Sequence, residues 1–320
     1  MNSMRRNVLV TGASGFIGSA VVNELSRIET FNVRACVRPS SKFEAPPSVN
    51  RVEVSDVGGK TCWYDTLDSI DIVIHCAAKA CGLGSESGEE RADLFNVNVE
   101  GTLALARQAA ALGVKRFLFL SSVKVNGEQT DNCGPFSETD PPLPDDLYGF
   151  SKLQAEEALR SFGLETEMEI VIVRPPLVYG PGVKGNFNSL IKLADSSVPL
   201  PFGLVDNRRS FIFVGNLVDF IIHAIESPKA GNQTFLVCDG ADLSTGELIS
   251  ILRMVQGRPK RLVPIPVWVL RALGFLFGKH AVVSRVLGSL QINSGKAQNL
   301  LGWRAPYSVE KALVLTLKAE

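Results

Sequence analysis

The chain has 320 residues, 45% of them hydrophobic, with 33 basic and 33 acidic residues and a formal net charge of +0. A chain of this size buries one large core, or a large core with a smaller one attached. The balanced charge excludes a general field that draws in nucleic acid or an anionic membrane surface, so any anion site must be local.

The cysteines form no C-x-x-C pair, and the chain has only three histidines, which argues against a zinc site or any other metal site. Most of the cysteines have apolar, small or glycine neighbours, which predicts reduced and mostly packed thiols in a cytoplasmic protein. The N-terminus has neither the apolar stretch nor the cleavage site of a signal peptide. The cysteines are Cys36, Cys62, Cys76, Cys81, Cys133 and Cys238.

Short β-branched runs alternate with helical patterns through the first half of the chain. Apolar residues recur at three- or four-residue steps in the helical patterns, as at Ile17, Val21 and Leu25. This alternation predicts an α/β fold with a doubly wound parallel sheet covered by helices on both faces. The predicted strands are Asn7–Val10, Val33–Val37, Arg51–Val54, Ile72–Cys76, Phe117–Ser121 and Ile170–Val173.

The regular alternation ends after Arg174, where several prolines lie close together. We predict a dinucleotide-binding domain over residues 1–175, with later strands returning from about 208–240. Residues 176–207 and 241–320 would then form a smaller substrate-binding region. Ligands of doubly wound sheets bind beyond the carboxyl ends of the strands, so the cleft between the two regions is the expected site.

The most hydrophobic late segment, residues 263–278, contains Pro264, Pro266, Arg271 and Gly274. It is too short and too interrupted for a membrane-spanning helix, so we expect no integral membrane segment. An amphipathic helix that caps a pocket is the first interpretation, and peripheral membrane contact is the alternative.

A glycine-rich turn, TGASGFIG, follows the first predicted strand and precedes a helix. Gly12 permits the tight turn, Gly15 lets the backbone approach a pyrophosphate, and Gly18 lets helix and sheet pack closely. The helix N-terminus offers unpaired N–H groups to the phosphates. The pattern predicts a Rossmann-type dinucleotide site whose contacting residues here are Gly12, Ser14, Gly15, Phe16, Ile17 and Gly18.

The end of the second strand sets the cofactor preference. A carboxylate at that position hydrogen-bonds the ribose of NAD and repels a 2′-phosphate, and this chain has none there. Arg38, with Ser40 or Ser41, is suited to hold a 2′-phosphate, so NADP(H) is preferred and NAD(H) remains possible. The alternative is that Arg38 is simply solvated.

Two further strand ends complete the predicted cofactor site. Asp56 and Val57 follow the third strand, where the adenine is expected. Ala77 and Ala78 follow the fourth strand, and their small side chains let a cofactor lie close to the backbone.

Tyr148 and Lys152 lie four residues apart at the start of a helical pattern, so they share one helix face. A phenol is a poor acid or base at neutral pH unless a neighbouring cation stabilises its anion. We therefore expect Lys152 to lower the pKa of Tyr148. Ser122, after the fifth strand, is positioned to orient a substrate oxygen toward Tyr148. For this serine the alternative is a turn residue that bonds its own backbone.

These motifs together resemble the extended short-chain dehydrogenases of the NAD-dependent epimerase/dehydratase family. The resemblance extends through Arg174-Pro175, VYGPG at 178–182 and Leu301-Gly302-Trp303. It implies that Ser122, Tyr148 and Lys152 are catalytic, that Asn98 is a structural polar residue of the fourth helix and that Pro175 lies near the nicotinamide. It also implies that Asn186 and Arg209 contact the substrate, Arg209 at the diphosphate; the alternative for Arg209 is a surface arginine.

The sequence departs from parts of this family. Many epimerases carry a tyrosine where this chain has Asn126, and the dehydratases carry a carboxylate beside the serine, where Val123 and Lys124 stand. The chain most resembles bacterial 4-reductases that convert UDP-4-keto-6-deoxy-N-acetylhexosamine to UDP-N-acetylquinovosamine in lipopolysaccharide and O-antigen synthesis, and UDP-glucose 4-epimerase-like proteins. The resemblance implies a UDP-sugar substrate and a possible homodimer. A UDP-hexose 4-epimerase that retains NAD, and a non-catalytic dinucleotide-binding sensor, remain alternatives.

Overall fold

The computed structural model describes residues 5–80, 87–131 and 133–318. Its strands are β1 (Arg6–Thr11), β2 (Phe31–Val37), β3 (Asn50–Glu53), β4 (Ile72–His75), β5 (Arg116–Leu120), β6 (Glu169–Arg174), β7 (Leu177–Tyr179), β8 (Phe211–Phe213) and β9 (Gln233–Leu236). Its helices are α1 (Phe16–Leu25), α2 (Tyr64–Leu67), α3 (Gly88–Phe95), α4 (Thr102–Ala111), α5 (Leu147–Leu164), α6 (Gly185–Asp195), α7 (Val214–Glu226), α8 (Thr245–Val255), α9 (Val267–Leu276), α10 (His280–Leu287), α11 (Gly295–Leu301) and α12 (Val309–Leu317). A π-helical segment, Asn96–Gly101, leads into α4.

Seven parallel strands form the main sheet in the order β3-β2-β1-β4-β5-β6-β9. All six predicted strands are present in it, so the Rossmann-type prediction is confirmed. The strand order reverses between β1 and β4, where Thr11 pairs with His75. The turn after β1 and the segment after β4 therefore lie side by side at the carboxyl edge of the sheet, which is where doubly wound folds bind ligands.

Apolar clusters cover both faces of the sheet. On one face α1 and α7 contribute Val21, Leu25, Leu217 and Ile221, all inaccessible to solvent. On the other face α4 and α5 contribute residues such as Leu105 and Leu159. The central strands β4 and β5 are buried along their whole length, and β6 is buried at all but its first residue, which explains why they are largely continuous apolar runs rather than alternating polar ones.

After β6, the described part of the chain returns to the main sheet once. β9 joins the main sheet beside β6, as expected for a strand returning between 208 and 240. β8, from the same range, instead pairs with β7 in a separate two-stranded sheet. The helices from α8 onward follow β9 in the chain. The division into a dinucleotide-binding domain and a substrate-binding region stays a prediction.

Two expectations about particular residues need correction. The late apolar segment forms α9 as predicted, but Trp268 and Phe275 are 72% and 80% exposed, so these side chains do not cap a pocket. The prediction of mostly packed thiols is also only partly right, because Cys62 and Cys133 are exposed although all five described cysteines are free; Cys81 lies outside the described residues. Within the described ranges, no helix combines the length and apolarity needed to cross a bilayer, and no cluster of His, Cys, Asp and Glu is arranged to hold a metal ion.

Candidate active site

The glycine-rich turn packs against its neighbours more closely than any side chain allows. Gly12 has a φ of +64°, and a Cβ there would lie 2.7 Å from the amide nitrogen of Ala77. A Cβ on Gly18 would lie 2.2 Å from the carbonyl oxygen of Gly12. Only glycine fits at both positions, so the turn holds α1 tightly on the sheet and brings it next to the end of β4.

The N-terminus of α1 is open toward the carboxyl edge of the sheet. Its N-cap residue, Gly15, provides no side-chain hydrogen bond, and the first turn has no acidic residue. Ser14 and Gly15 are exposed, whereas Phe16 and Ile17 are half-buried against the core. The unpaired N–H groups and the positive end of the helix dipole therefore remain available to an anion, as a dinucleotide pyrophosphate requires.

A polar cavity of about 390 Å³ lies beyond the end of β2. Arg38 and Lys42 are both exposed there and have no ion pair among the described residues. The cavity reaches the glycine turn through Ser14. Its lining residues are Ser14, Ser19, Arg38, Ser40, Ser41, Lys42 and Phe43, two cations and four serines with no carboxylate. The sequence predicted Arg38, Ser40 and Ser41 at this place but missed Lys42 and Ser19.

The residues predicted beside the adenine and along the cofactor lie at the same sheet edge. Asp56 is exposed, and one of its carboxylate oxygens accepts a 2.7 Å hydrogen bond from the amide of Val57. Val57 and Ala77 are half-buried and Ala78 is exposed. These positions place small side chains after β4, directly beside the glycine turn.

Asn98 is buried and connects two segments of the chain. Its side chain exchanges two hydrogen bonds with the backbone of Lys79, at 2.8 and 2.9 Å, and donates a third to Ser151 Oγ. Ser151 in turn donates to the carbonyl oxygen of Tyr148. Asn98 therefore ties the segment after β4 to the first turn of α5, although it lies in the π-helical segment rather than in α4 itself.

A buried histidine continues this polar network under the glycine turn, and sequence reasoning missed it. His75 contacts Thr11 Oγ1 at 2.6 Å and Thr102 Oγ1 at 3.0 Å, and Thr102 donates to the carbonyl oxygen of Asn98. Burial and then the charge of Lys152 lower the pKa of His75 to about 3, so the ring is neutral. It has a structural role: it links the strand before Gly12 to the helix that holds Asn98.

The start of α5 is fixed against the segment that follows β5. Asp146 is the N-cap and accepts a 2.7 Å hydrogen bond from the amide of Gly149. Asp146 also forms an ion pair with Lys124. A Cβ on Gly149 would lie 2.7 Å from the carbonyl oxygen of Lys124. This close approach places Tyr148, the second residue of α5, beside the turn that begins at Ser122.

Lys152 lies under Tyr148 and is fully buried. Its ammonium is 5.8 Å from the centre of the Tyr148 ring and 4.5 Å from that of Phe119, and it donates a 2.9 Å hydrogen bond to the carbonyl oxygen of Leu120. Burial lowers the pKa of Lys152 to about 8, against the opposing influence of Cys76 and Glu156. The group is therefore a cation at neutral pH and loses its charge in mildly alkaline solution.

The expected lowering of the Tyr148 pKa is not found in this arrangement. Burial, together with the neighbouring charge of Asp146, raises the pKa of Tyr148 to about 12. The ammonium of Lys152 is 5.8 Å from the centre of the Tyr148 ring and is hydrogen-bonded to a strand carbonyl, which limits what it does for the phenolate. Tyr148 is therefore neutral and carries its proton at physiological pH.

Ser122 caps the short 3-10 turn Val123–Val125 and accepts a 3.2 Å hydrogen bond from the amide of Lys124. This is the turn role that was the alternative to a catalytic one, and the half-exposed hydroxyl retains its own proton to donate. The amide of Val123 donates to the carbonyl oxygen of Pro175 at 3.0 Å, so Pro175 lies next to Ser122. The strand ends of β5 and β6 thus meet beside Tyr148.

A buried network beneath these residues was also missed. Glu156 accepts hydrogen bonds from Ser121 Oγ at 2.5 Å and from two nitrogens of Arg174, and Arg174 donates a further bond to Asn126 Oδ1 at 2.9 Å. Glu156 follows Lys152 by four residues, so the step that identified Tyr148 and Lys152 also points to it. Asn126, noted as a departure from many epimerases, is a buried partner of this network.

Asn186 lies in the region predicted to bind substrate, and Arg209 lies just beyond it, in the range predicted to return to the sheet. Arg209 is half-buried, and its Nη1 donates to the carbonyl oxygens of Arg285 and Gly288, each at 2.8 Å. Both bonds use one nitrogen, so the rest of the guanidinium is available to an anion. Asn186 is exposed in the first turn of α6. Arg209 is thus not the purely surface arginine that was its alternative.

Residues 8–238 match the model of the NAD dependent epimerase/dehydratase family. The chain belongs to the NAD-dependent epimerase/dehydratase family. The predicted resemblance to the short-chain dehydrogenases of this family is thereby confirmed, as is the prediction of an enzyme of the oxidoreductase type.

Relatives of this epimerase/dehydratase chain align over nearly its full length. It is 39% identical to a UDP-glucose 4-epimerase of Vibrio cholerae, over 99% of this chain and 96% of the relative. It is 29% identical to an N-acetyl-alpha-D-glucosaminyl-diphospho-ditrans,octacis-undecaprenol 4-epimerase of Escherichia coli O157:H7, over 99% and 96%. The crystal structure of UDP-glucuronic acid 4-epimerase from Bacillus cereus in complex with UDP-glucuronic acid and NAD shares the fold, with a TM-score of 0.78, 22% identity and 98% of each chain covered.

Proposed function

We propose that this enzyme uses NADPH to reduce the ketone of a 4-keto nucleotide sugar, UDP-4-keto-6-deoxy-N-acetylhexosamine, to UDP-N-acetylquinovosamine for surface polysaccharide synthesis. The observation that carries the proposal is the cavity beyond β2, where Arg38, Lys42 and the serines present cations and hydroxyl donors without a carboxylate. Such a lining suits a 2′-phosphate. A preference for NADPH favours net reduction, because a reductase needs a fresh reduced cofactor in every turnover.

The residues of the site divide the reduction between them. The cofactor, when bound, supplies a hydride to the C4 carbonyl carbon of the sugar. Ser122 Oγ donates a hydrogen bond to the carbonyl oxygen and orients it. Tyr148 Oη then gives its proton to the oxygen on which negative charge develops, so that a hydroxyl group forms and the charge passes to the phenol oxygen. Burial keeps Tyr148 protonated at neutral pH, and transfer remains favourable because an alkoxide is a stronger base than a phenolate.

Lys152 acts through its charge and its position. Its buried ammonium offsets the negative charge left on Tyr148, and its hydrogen bond to the carbonyl oxygen of Leu120 fixes it beneath the ring. In the low dielectric of the interior this attraction is stronger than it is in water. We assign the ribose hydroxyls of the cofactor to the remaining donors of Lys152.

A 4-epimerase that retains NAD is the second candidate, and the 39% identical relative from Vibrio cholerae favours it. An epimerase oxidises and re-reduces the same carbon, so it consumes no cofactor. Ser122, Tyr148 and Lys152 would have the same roles in the reduction and in the epimerisation. The cavity beyond β2 favours the reductase over the epimerase, since a retained NAD has no 2′-phosphate to place there.

The carrier of the sugar is a separate question. The Escherichia coli relative is a 4-epimerase of an N-acetylglucosaminyl group linked through a diphosphate to undecaprenol. UDP and a polyprenyl diphosphate present the same diphosphate beside the sugar, and Arg209 offers donors to either. We propose UDP as the carrier and include the lipid-linked sugar in the test. A homodimer and a cytoplasmic location remain predictions.

The test mixes the purified chain with NADPH or NADH and with a 4-keto or a 4-hydroxy sugar, each linked either to UDP or to undecaprenyl diphosphate. The absorbance of the cofactor and the sugar products are then followed. Net loss of NADPH with formation of the 4-hydroxy sugar supports the reductase. Interconversion at C4 without cofactor loss identifies the epimerase, and cofactor binding without turnover identifies a sensor. Tyr148→Phe should lower the turnover number about 100- to 10,000-fold, whereas Tyr64→Phe, at a tyrosine that is 51% exposed on α2, is the matched control.

A further inference from the structure

An unusual concentration of exposed apolar side chains lies on the pair of helices formed by α9 and α10, which we call the α9–α10 hairpin. Seven of the seventeen large apolar side chains that the described chain exposes fall within residues 263–282. They are Val263, Trp268, Leu273, Phe275, Leu276, Phe277 and Val282, with exposed fractions between 38% and 80%. Clustered exposure of this kind marks a surface that another body covers.

The hairpin is built to present these side chains outward. Gly274 is buried, and a Cβ there would lie 2.7 Å from Val283 Cγ2, so the two helices pack directly on each other. Trp268 and Phe275 are seven residues apart and therefore lie on one face of α9, and both are exposed. Phe277 and Lys279 flank the tip of the hairpin and are exposed. The two helices are thus packed normally against each other, and the apolar face is part of the outer surface of the folded chain.

The charge around this face is one-sided. Residues 248–309 contain nine lysines and arginines and no Asp or Glu, in a chain whose net charge is +0. Lys260, Arg261, Arg271 and Lys279 are exposed, and none of them forms an ion pair within the described residues. Among the described residues, the one ion pair that an acidic side chain makes with α9 or α10 lies at the base of the hairpin, where Glu128 pairs with Arg285 at 3.5 Å.

We propose that the α9–α10 hairpin is a docking surface for an anionic phospholipid bilayer. Tryptophan and phenylalanine enter the boundary between head groups and acyl chains, while lysine and arginine remain with the anionic head groups. A second copy of the chain fits less well, because a two-fold contact places the same acid-free cationic face against itself. The helices lie on the membrane rather than cross it, consistent with their lengths of ten and eight residues.

Docking at this surface orients the candidate active site. Arg209 donates to the carbonyl oxygen of Arg285 on α10, and Asn207 donates to those of Val286 and Gly288. The base of the hairpin is therefore continuous with the region proposed to hold the diphosphate of the substrate. The docked enzyme holds this side of its cleft close to the lipid surface.

Vesicle binding of the full chain tests the proposal. Vesicles of phosphatidylcholine with 30% phosphatidylglycerol should carry the protein in a flotation gradient at low salt, and vesicles of phosphatidylcholine alone should carry much less. Trp268 supplies a specific signal, because Trp63 and Trp303 are 0% and 5% exposed. Its fluorescence should shift to the blue and lose most of its quenching by acrylamide when the anionic vesicles are added.

Substitutions separate the apolar and the charged contributions. Phe275→Ser and Phe277→Ser should each lower partitioning about tenfold or more, whereas Leu164→Ser, at a leucine that is 90% exposed at the end of α5, should leave it unchanged. Arg271→Gln and Lys279→Gln should each lower it about fivefold, with Lys229→Gln as the matched control at an exposed lysine. Circular dichroism checks that each variant is folded.

Two results overturn the proposal. The first is an absence of partitioning to the anionic vesicles with Trp268 still fully quenched. The second is self-association in analytical ultracentrifugation that Phe275→Ser abolishes, without vesicle binding, which assigns the face to a second copy of the chain. None of these measurements uses the enzymatic reaction. A negative result for membrane binding therefore does not bear on the proposed reduction, and a negative result for the reduction does not bear on membrane binding.

Discussion

Glu156 and Arg174 form a buried, bidentate ion pair beneath the candidate active site. Glu156 Oε1 accepts from Arg174 Nε at 2.9 Å and Glu156 Oε2 accepts from Arg174 Nη2 at 2.6 Å, and the two side chains are 0% and 2% exposed. The pair connects α5 to the end of β6, and Ser121 connects it to the end of β5. Three elements that carry Tyr148, Ser122 and Pro175 are thus fixed to one another by a single carboxylate.

Glu156→Gln should destabilise the fold by about 3–5 kcal/mol, because it removes the charge of one partner and leaves the Arg174 guanidinium buried and uncompensated. The measurement is urea unfolding of the purified variant at neutral pH. The m-value of the variant is compared with that of the parent chain, because a changed m-value would indicate a change in the unfolded state. We also expect the turnover number to fall, since the elements that position Tyr148 loosen.

Glu157→Gln is the matched control for this change. Glu157 is the next residue on α5, is exposed and forms no ion pair within the described ranges, so its variant should unfold within about 0.5 kcal/mol of the parent chain. If Glu156→Gln and Glu157→Gln had the same free energy of unfolding, the buried ion pair would contribute no more to stability than an exposed carboxylate does.

The strands and the glycine turn were predictable because each depends on residues that are close together in the sequence. The runs around Val8 and Val73 are continuous and apolar, and continuous apolar runs between glycine turns suit a sheet covered on both faces. The Tyr148–Lys152 pair was predictable for the same reason, since a spacing of four residues fixes a shared helix face.

Contacts between distant segments were not predictable in this way. The partners of His75 are Thr11 and Thr102, and the sequence gives no local signal that joins these three. The pKa of Tyr148 was predicted in the wrong direction because burial, a property of the whole fold, outweighs the proximity of Lys152. The exposed face of α9 was read as a pocket cap because apolar periodicity shows that a face exists but not what covers it.

Gly18→Ala should damage both stability and cofactor binding. The added methyl group would lie 2.2 Å from the carbonyl oxygen of Gly12, so α1 must move away from the turn that receives the pyrophosphate. We expect a loss of stability of about 1–3 kcal/mol from overpacking and at least a tenfold rise in the dissociation constant of the dinucleotide, measured by calorimetric titration.

Gly88→Ala provides the comparison for that variant. Gly88 is the first residue of α3, and a Cβ there meets no atom within 4 Å. Its substitution should leave cofactor affinity unchanged. Normal dinucleotide binding by Gly18→Ala would contradict the placement of the pyrophosphate at this turn.

The activity should decline as the pH rises through about 8. Burial places the pKa of Lys152 at about 8, so its charge is present below that pH and is lost above it, while Tyr148, with a pKa of about 12, stays protonated throughout. The measurement is the pH profile of kcat/KM for reduction, which reports the ionisations of the free enzyme. Lys152→Arg, whose guanidinium does not titrate in this range, should remove the alkaline decline from whatever activity it retains. An activity that rises between pH 7 and 9 would assign the controlling ionisation to another group.

Arg38→Ala should change the choice of cofactor without changing the chemistry. If the cavity beyond β2 holds a 2′-phosphate, loss of the guanidinium removes charge-assisted hydrogen bonds and raises the KM for NADPH about ten- to hundredfold. The KM for NADH should be unaffected, because NADH has no 2′-phosphate, and the turnover number with saturating NADPH should stay near that of the parent chain. Arg27→Ala is the control, because Arg27 is an exposed arginine shortly before β2 that pairs with Glu24 and does not line the cavity. An equal loss of affinity for both cofactors would mean that Arg38 supports the fold of the β2 end, and an unchanged KM for NADPH would remove the observation that favours a reductase over an epimerase.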